Sequence, residues 1–119
     1  MNFLIVDDNE NMRRMLKVIV AELGGETHEC VDGDGALAAY AKHRPDWVLM
    51  DLKMEGMDGI SATRQITRSF PGAQIIVVSD YNDRELRAAA RAAGACEFLI
   101  KENLHELGLI LRMRAERGW

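Results

Sequence analysis

The 119-residue sequence predicts an α/β fold in which a doubly wound, five-stranded parallel sheet carries five helices on its two faces. Strand-like and helix-like segments alternate along the whole chain, which is the pattern of a parallel sheet with helical crossovers. The chain has the length of one domain, and no repeat, low-complexity segment or linker divides it. Residues 1–119 are therefore expected to form a single domain.

Composition disfavours several classes of protein. Apolar residues make up 48% of the chain and charged residues 29%, a balance typical of globular proteins rather than disordered ones. The 15 Lys and Arg residues against 19 Asp and Glu residues give a net charge of −4, which disfavours direct nucleic-acid binding. No apolar stretch approaches the ~20 residues of a membrane span, and the first residues lack a signal-peptide layout. A cytoplasmic protein is expected, with Cys30 and Cys96 as thiols rather than a disulfide.

The apolar pattern of the chain predicts five strands and an amphipathic first helix. Five short runs are expected to form the strands, at residues 3–6, 27–31, 47–50, 75–78 and 98–100. The second of these runs is half-polar, which predicts a position at the edge of the sheet. After Asp8, apolar residues follow the spacing of one helix face, namely Met12, Met15, Leu16, Ile19, Val20 and Leu23.

The second and third helices have recognisable beginnings. Asp34 is expected to cap the second helix, which should end before Pro45. Its buried face would carry Leu37, Tyr40 and Ala41. The third helix should begin near Asp58 and bury Ile66.

The last two helices each follow an asparagine. Asn82 is expected to start the fourth helix, with Glu85 three residues later as its capping-box partner. The inner face of this helix is mostly alanine, and the absence of large side chains predicts greater mobility. Asn103 should start the fifth helix with Glu106 in the same relation, and the buried residues would be Leu107, Ile110 and Leu111.

Chemically capable side chains stand where four of the strands end. Asp7 and Asp8 follow the first strand, Asp51 the third, Ser79 the fourth and Lys101 the fifth. Parallel strands bring their carboxyl ends to one edge of a sheet, which is where open α/β sheets bind ligands. Three carboxylates, a hydroxyl and an ammonium should therefore converge. Such a set can hold a divalent cation and receive a phosphoryl group.

The same residues carry a family resemblance. Five motifs closely resemble the receiver domain of bacterial two-component response regulators: Val6-Asp7-Asp8, Met50-Asp51-Leu52, Met57-Asp58-Gly59, Val78-Ser79 and Leu99-Ile100-Lys101. They occur in the right order, each at a predicted strand end or turn, and the resemblance runs from about residue 2 to residue 115. It implies a flavodoxin-like fold with strand order 2-1-3-4-5.

The resemblance also implies a phosphorylation site. Asp51 matches the phosphoacceptor, and an aspartate carboxylate can form an acyl phosphate. Asp7 and Asp8 would hold Mg²⁺ together with Asp51 and the backbone carbonyl of Lys53. Lys101 would neutralise charge on the phosphoryl oxygens during transfer.

Two further residues match the switch of the family. Ser79 corresponds to the hydroxyl that binds the phosphoryl group and draws the following loop inward. Phe98 corresponds to the aromatic residue whose rotamer follows that movement, although it lacks a hydroxyl. Alternatively, Phe98 could be an ordinary core residue with no role in the switch.

Residues beside Ser79 and Asp51 depart from the family pattern or add to it. Asp80 stands where relatives carry a small residue, and it could repel an incoming phosphoryl group. We expect it instead to point outward and support the turn into Asn82. Lys53 and Tyr81, each two residues beyond a site residue, could cover the phosphoryl group and slow autodephosphorylation.

The resulting functional prediction is a phosphorylation-dependent signalling switch. A histidine kinase or phosphotransfer protein would donate the phosphoryl group to Asp51, and the chain would catalyse this transfer without a turnover substrate. The surface formed by the fourth helix, last strand and fifth helix should transmit the signal to a downstream protein or output domain. A homodimer is a further option. Candidate contacts are Arg84, Arg87, Arg91 and exposed positions among residues 103–114.

Three alternatives remain open at this stage. The chain could be the receiver part of a longer DNA-binding transcription regulator, and its end directly after the last predicted helix fits both this alternative and a single-domain protein. A Mg²⁺-dependent phosphatase would use the same carboxylates, but haloacid-dehalogenase-like phosphatases typically have a second aspartate where Lys53 stands. A pseudo-receiver that acts without phosphorylation is supported by Asp80 alone.

Overall fold

The computed structural model of the chain describes residues 1–116. Within them, the elements are β1 (Asn2–Val6), α1 (Glu10–Glu22), β2 (Glu26–Cys30), α2 (Ala36–His43), β3 (Trp47–Asp51), α3 (Gly59–Ser69), β4 (Ile75–Ser79), α4 (Arg84–Ala93), β5 (Glu97–Ile100), a 3₁₀ segment (Lys101–Glu106) and α5 (Leu107–Glu116). The final three residues of the predicted domain, 117–119, lie outside the described residues. None of the helices within residues 1–116 has the length and hydropathy of a membrane span.

The five strands form one parallel sheet in the order β2-β1-β3-β4-β5, which confirms the predicted order. Val6 pairs with Met50 and Met50 pairs with Val77, so the ends of β1, β3 and β4 lie at similar heights. Ser79 is paired with Ile100, the residue before Lys101. The register therefore brings the residues at these strand ends to one edge of the sheet.

Burial follows strand position. Every residue of β3 and β4 is buried, as expected of apolar runs covered by helices on both faces. The half-polar strand β2 lies at the edge, which confirms its predicted place. Cys30 at its end and Cys96 before β5 are free, half-buried thiols, again as predicted.

The core has two layers because successive strand residues point to opposite faces of the sheet. Leu4 and Val6 face the layer built with α2, α3 and α4, whereas Phe3 and Ile5 face the layer built with α1 and α5. Trp47 is the largest fully buried side chain among the described residues and lies in the second layer.

Three details of the first two helices differ from the predictions. Met15 is 51% exposed and Leu23 is 45% exposed, so the buried stripe of α1 is narrower than the apolar spacing indicated. The predicted cap of α2 is wrong: its N-cap is Gly35, which has no side chain to offer, and the Gly35 amide donates to Asp32. The predicted burial of Ala41 is also wrong, because this residue is exposed.

The last two helices begin later than predicted. Asp83, not Asn82, caps α4, and its Oδ1 accepts hydrogen bonds from the amides of Glu85 and Leu86. Asn82 instead accepts a hydrogen bond from the Arg87 side chain. The α-helix at the end begins at Leu107 rather than Asn103, because Asn103 has non-helical dihedral angles (φ −114°, ψ 28°) within the preceding 3₁₀ segment.

Candidate functional site

Three aspartates meet at the carboxyl edge of the sheet. Asp7 and Asp8 follow β1, and Asp51 is the last residue of β3. Asp7 is 1% exposed and Asp51 is 5% exposed, whereas Asp8 is open to solvent. Each offers a carboxylate oxygen, and the three oxygens lie within 4.8 Å of one another. The convergence expected from the strand ends is present.

Backbone and side-chain hydrogen bonds hold Asp7 in place. Its amide donates to the Cys30 carbonyl at the end of β2, and its Oδ1 accepts from the Asn9 amide at 2.9 Å. Arg13 donates from Nη1 to the Asp7 carbonyl at 2.9 Å and pairs through Nε with Glu29. The sequence analysis did not single out Arg13. Its signal would have been an arginine one helical turn into α1, where it can reach back to the end of β1.

Asp51 is held by the close approach of α3. The Gly59 amide donates to the Leu52 carbonyl at 2.9 Å, and a Cβ atom on Gly59 would overlap the Asp51 carbonyl. Glycine is therefore required at the start of this helix. Asp58 caps α3, as predicted, by accepting the Ser61 amide.

Lys101 contacts three carboxylates. Its Nζ lies 3.0 Å from Asp51 Oδ1, 3.8 Å from Asp80 Oδ2 and 4.0 Å from Asp7 Oδ2. Its side chain is 15% exposed. This ammonium is thus the countercharge that the structure places directly against Asp51.

Burial and charge act in opposite directions on the ionisation of the pair. Burial raises the pKa of Asp51 to about 6, Lys101 opposes that rise, and Asp7 and Asp8 add to it. Burial also raises the pKa of Asp7. Burial alone would lower the pKa of Lys101, but the hydrogen bond to Asp51 and the nearby carboxylates raise it overall. Lys101 is therefore charged at neutral pH.

The carboxylate cluster fits a hard divalent cation. Asp7 Oδ2 is buried and accepts no hydrogen bond, and an ionised oxygen in that state is costly unless a cation compensates it. Oxygen ligands are those that Mg²⁺ prefers. Lys53, whose carbonyl was the further predicted ligand, lies in the loop between β3 and α3. The neighbouring Glu55 amide donates to Asp8 Oδ2 at 3.3 Å, which ties this loop to the cluster.

Ser79 is buried at the end of β4, with 1% of its surface exposed. Its Oγ accepts a hydrogen bond from the Tyr81 amide at 3.0 Å. A hydroxyl can accept and donate at the same time, so this contact leaves the Ser79 proton for another acceptor.

Lys53 and Tyr81 contact each other across the two loops that flank the site. Lys53 Nζ lies 4.4 Å from the centroid of the Tyr81 ring, within the range of a cation–π interaction. Both side chains are exposed. The loop after β3 and the loop after β4 are therefore linked beside Asp51 and Ser79. Their covering of a phosphoryl group remains a prediction.

Phe98 is half-buried on β5, against the core layer that includes α4. The Arg87 guanidinium lies 4.8 Å from its ring centroid. This position connects the last strand to α4, and the proposed rotamer change stays a prediction.

Asp80 points outward, as expected, but it does not support the following turn. Its side chain is 62% exposed, but it makes no hydrogen bond to the turn into Asn82 within the described residues. The turn is held by the Tyr81 amide bond to Ser79 and by the Asp83 cap. The prediction that Asp80 supports the turn is wrong, because its carboxylate lies near the Lys101 ammonium instead.

Comparison with known proteins gives a consistent result. The family model for the response regulator receiver domain matches residues 3–112. The regulatory protein AtoC of Escherichia coli K12 is 40% identical over 110 residues, covering 92% of this chain and 24% of AtoC. The chemotaxis protein CheY of Thermotoga maritima is 40% identical over 99 residues, covering 82% of each protein.

A solved structure agrees with these matches. The receiver domain of NtrX from Brucella abortus superimposes with a TM-score of 0.84 at 28% identity, covering 95% of this chain and 96% of that one. The chain spans about a quarter of the length of AtoC but most of the length of CheY.

Proposed function

The chain belongs to the response regulator receiver family, whose members are phosphorylation-dependent signalling switches, and from that membership we propose that Asp51 is its phosphoryl acceptor. The observation that carries the proposal is the contact between a buried Asp51, two further carboxylates and one ammonium. Receiver domains interact with histidine kinases or phosphotransfer proteins, and we assign the donor of this chain to that class.

In the proposed reaction a carboxylate oxygen of Asp51 attacks phosphorus, and the bond between phosphorus and the donor's histidine nitrogen breaks. An acyl phosphate forms on Asp51. With a pKa of about 6, Asp51 is mostly ionised at neutral pH and can act as the nucleophile. Lys101 stands close enough to neutralise charge on the transferring group, the kind of stabilisation on which phosphoryl transfer depends.

Asp7, Asp8 and Asp51 would hold Mg²⁺, together with the backbone carbonyl of Lys53. When bound, Mg²⁺ offsets the repulsion between the carboxylates and the phosphoryl oxygens. The chain's own contribution is to fix the position of a ligand before the cation binds. The Asn9 and Arg13 hydrogen bonds hold Asp7 beside Asp51, so the Asp7 carboxylate does not have to be ordered when the cation arrives.

The proposed switch begins at Ser79. Its hydroxyl would donate to a phosphoryl oxygen, and the movement would stretch the hydrogen bond from the Tyr81 amide. The loop leading into α4 would then shift, and Phe98 would follow it. This mechanism requires two arrangements of one segment, one of which the phosphoryl group favours.

We assign the output surface to α4, β5 and α5. Three arginines of α4 are exposed, at positions 84, 87 and 91. A cleft of about 310 Å³ lies between α4 and β5 and is lined by Arg87, Ala90 and Phe98 among others. A downstream protein, an attached output domain or a second copy of the chain could each engage this surface.

The match to AtoC favours a second form of the same function. The chain covers 24% of the regulatory protein AtoC, so the switch could be one part of a longer regulator. The match to CheY over 82% of its length supports a stand-alone switch. The native mass of the protein in its source cells and the length of its gene would distinguish these two forms.

Intact-protein mass after exposure to acetyl phosphate tests the acceptor. Wild type should gain one phosphoryl group in the presence of Mg²⁺, and Asp51→Asn should gain none. Beryllofluoride binding provides a second test that does not depend on the donor. The proposal is wrong if wild type neither gains mass nor binds beryllofluoride, or if Asp51→Asn is modified like wild type.

A further inference from the structure

Lys101 has a second close anionic neighbour besides Asp51. Asp80 Oδ2 lies 3.8 Å from Lys101 Nζ, compared with 3.0 Å for Asp51 Oδ1. Asp80 directly follows Ser79, and the chain passes from a buried residue to one whose side chain is 62% exposed. A solvent-facing carboxylate is thus placed at the rim of the site, near the ammonium that the phosphoryl group needs.

Two other roles for Asp80 do not fit its surroundings. The three-carboxylate cluster that could hold a cation comprises Asp7, Asp8 and Asp51, and Asp80 is not part of it. The α4 cap is Asp83, and the turn bond at Ser79 comes from Tyr81. Among the described residues, Lys101 is the one ion-pair partner of Asp80.

We propose that Asp80 is an inhibitory countercharge of Lys101, which competes with the incoming phosphoryl group for the ammonium. This inference rests on the proposed function of Asp51. With acetyl phosphate, an Asp51 oxygen bonds to phosphorus as the phosphorus–oxygen bond to acetate breaks, and Lys101 must turn toward the phosphoryl oxygens. Asp80 draws the same ammonium away and repels the donor's negative charge.

The size of the expected change in phosphorylation rate follows from the exposure of the Asp80 side chain. Coupling between partly exposed charges is modest, so removing the Asp80 charge should accelerate phosphorylation about two- to fivefold. The effect should depend on salt, because at ~1 M ionic strength the Debye length shrinks to about 3 Å. Asp80 would therefore adjust the rate without abolishing the reaction.

The test compares phosphorylation rates of four proteins by intact mass, with acetyl phosphate and Mg²⁺, at low and high salt. Asp80→Asn removes the charge with little change of shape, and Asp80→Glu retains it. Glu22→Gln is the matched control, since it removes an exposed carboxylate at the far end of α1. We expect Asp80→Asn to react faster at low salt and like wild type at high salt, with Asp80→Glu and Glu22→Gln like wild type throughout.

The outcomes separate the two proposals. Equal rates for wild type and Asp80→Asn at low salt, with Asp51→Asn unreactive, would overturn the inference and leave the acceptor intact. An acceleration that persists unchanged at high salt, or that Asp80→Glu also shows, would indicate altered loop packing and overturn the inference as well. A wild type that neither gains a phosphoryl group nor binds beryllofluoride would overturn the proposed function itself.

Discussion

Asp51 and Lys101 stabilise each other's charged form in a place where burial disfavours both charges. The 3.0 Å contact keeps Lys101 protonated, yet the pKa of Asp51 still rises to about 6. One ammonium therefore does not compensate the negative charge of this site. The uncompensated charge explains physically why a divalent cation fits there, since it would relieve the same repulsion that raises the pKa of Asp51.

The Lys53–Tyr81 contact predicts a slow loss of the phosphoryl group. Lys53→Ala and Tyr81→Ala should each accelerate autodephosphorylation, because either change opens access for water. The increase in the decay rate of the double variant should be smaller than the product of the two single increases, since both changes break the same 4.4 Å contact. An exposed cation–π interaction of about 0.5–1 kcal/mol corresponds to a coupling of about two- to fivefold.

The measurement is the decay of phosphorylated protein followed by intact mass after donor removal. Lys42→Ala serves as the control, because this lysine is exposed on α2, away from the site. A double variant that keeps its phosphoryl group as long as wild type would refute the covering role of the pair.

The convergence of the strand-end residues was predictable, whereas the contacts of Asp80 and Arg13 were not. Asp51 and Lys101 could be brought together in advance because parallel register aligns the ends of the strands. The outward direction of Asp80 was predicted, but its 3.8 Å approach to the Lys101 ammonium was not, because that distance depends on where the long Lys101 side chain ends. The role of Arg13 depends on the path of a long side chain back to β1, which helical spacing alone does not reveal.

At the scale of elements, α4 combines a side-chain cap at its start with a buried face of small residues. Alanines provide its buried contacts, with Ala90 and Ala93 the buried residues of the helix. Asp83→Ala should lower the free energy of unfolding by about 1 kcal/mol, because the amides of Glu85 and Leu86 lose their acceptor.

Chemical denaturation measures this change, and Asn82→Ala is the paired control from the adjacent position. Asn82 bonds to an exposed arginine rather than to the helix backbone, so its removal should have a smaller effect. If Asn82→Ala proves the more destabilising of the two, the assignment of the cap is wrong.

The five helices were predictable, but the cap of α2 and the beginnings of α4 and α5 were not. Asn82 and Asp83 are both good capping residues, but it is Asp83 that has an extended backbone (φ −110°, ψ 126°) and accepts the first amides of the helix. Asn103 resembles a cap, yet the chain leaving β5 first forms a tighter 3₁₀ segment that buries Leu104. At both positions tertiary packing decides between local alternatives of similar propensity.

At the scale of the whole molecule, the raised pKa of Asp51 predicts how stability depends on pH. The folded protein binds the Asp51 proton more tightly, with a pKa of about 6 against 3.8 for an unperturbed aspartate. Its contribution to the free energy of unfolding is therefore retained below pH 3.8 and lost as pH rises through about 6. Asp51→Asn should be more stable than metal-free wild type at about pH 8, by up to roughly 3 kcal/mol.

Urea denaturation in the presence of a chelator, across the pH range, measures this difference. The two proteins should converge toward pH 4, where Asp51 is protonated. Adding Mg²⁺ at about pH 8 should stabilise wild type more than Asp51→Asn, because a ligand of the folded state raises its stability. A gap between the proteins that does not vary with pH would contradict the assigned ionisation.

The sheet order is the global feature that was predicted best. It came from the family resemblance carried by the motifs at the strand ends, together with the alternation of strands and helices. Burial within each helix was harder to predict. Met15 fits the apolar spacing of α1 but lies outside the contact with the sheet, because the width of that contact depends on how α1 and β2 pack. Spacing indicates which face can be buried, and tertiary geometry decides how much of it is.

One hydrogen bond, from the Tyr81 amide to Ser79, has a consequence for signal timing. Ser79 would respond to the phosphoryl group, and Tyr81 belongs to the pair expected to exclude water. A movement of the backbone at this bond would therefore change both the strength of the response and its duration. Because the backbone amide of Tyr81 makes this bond, a side-chain substitution at position 81 would alter how long the signal lasts and keep the link to Ser79. Only a change that moves this backbone or removes its N–H, as proline would, should alter the strength of the response and its duration together.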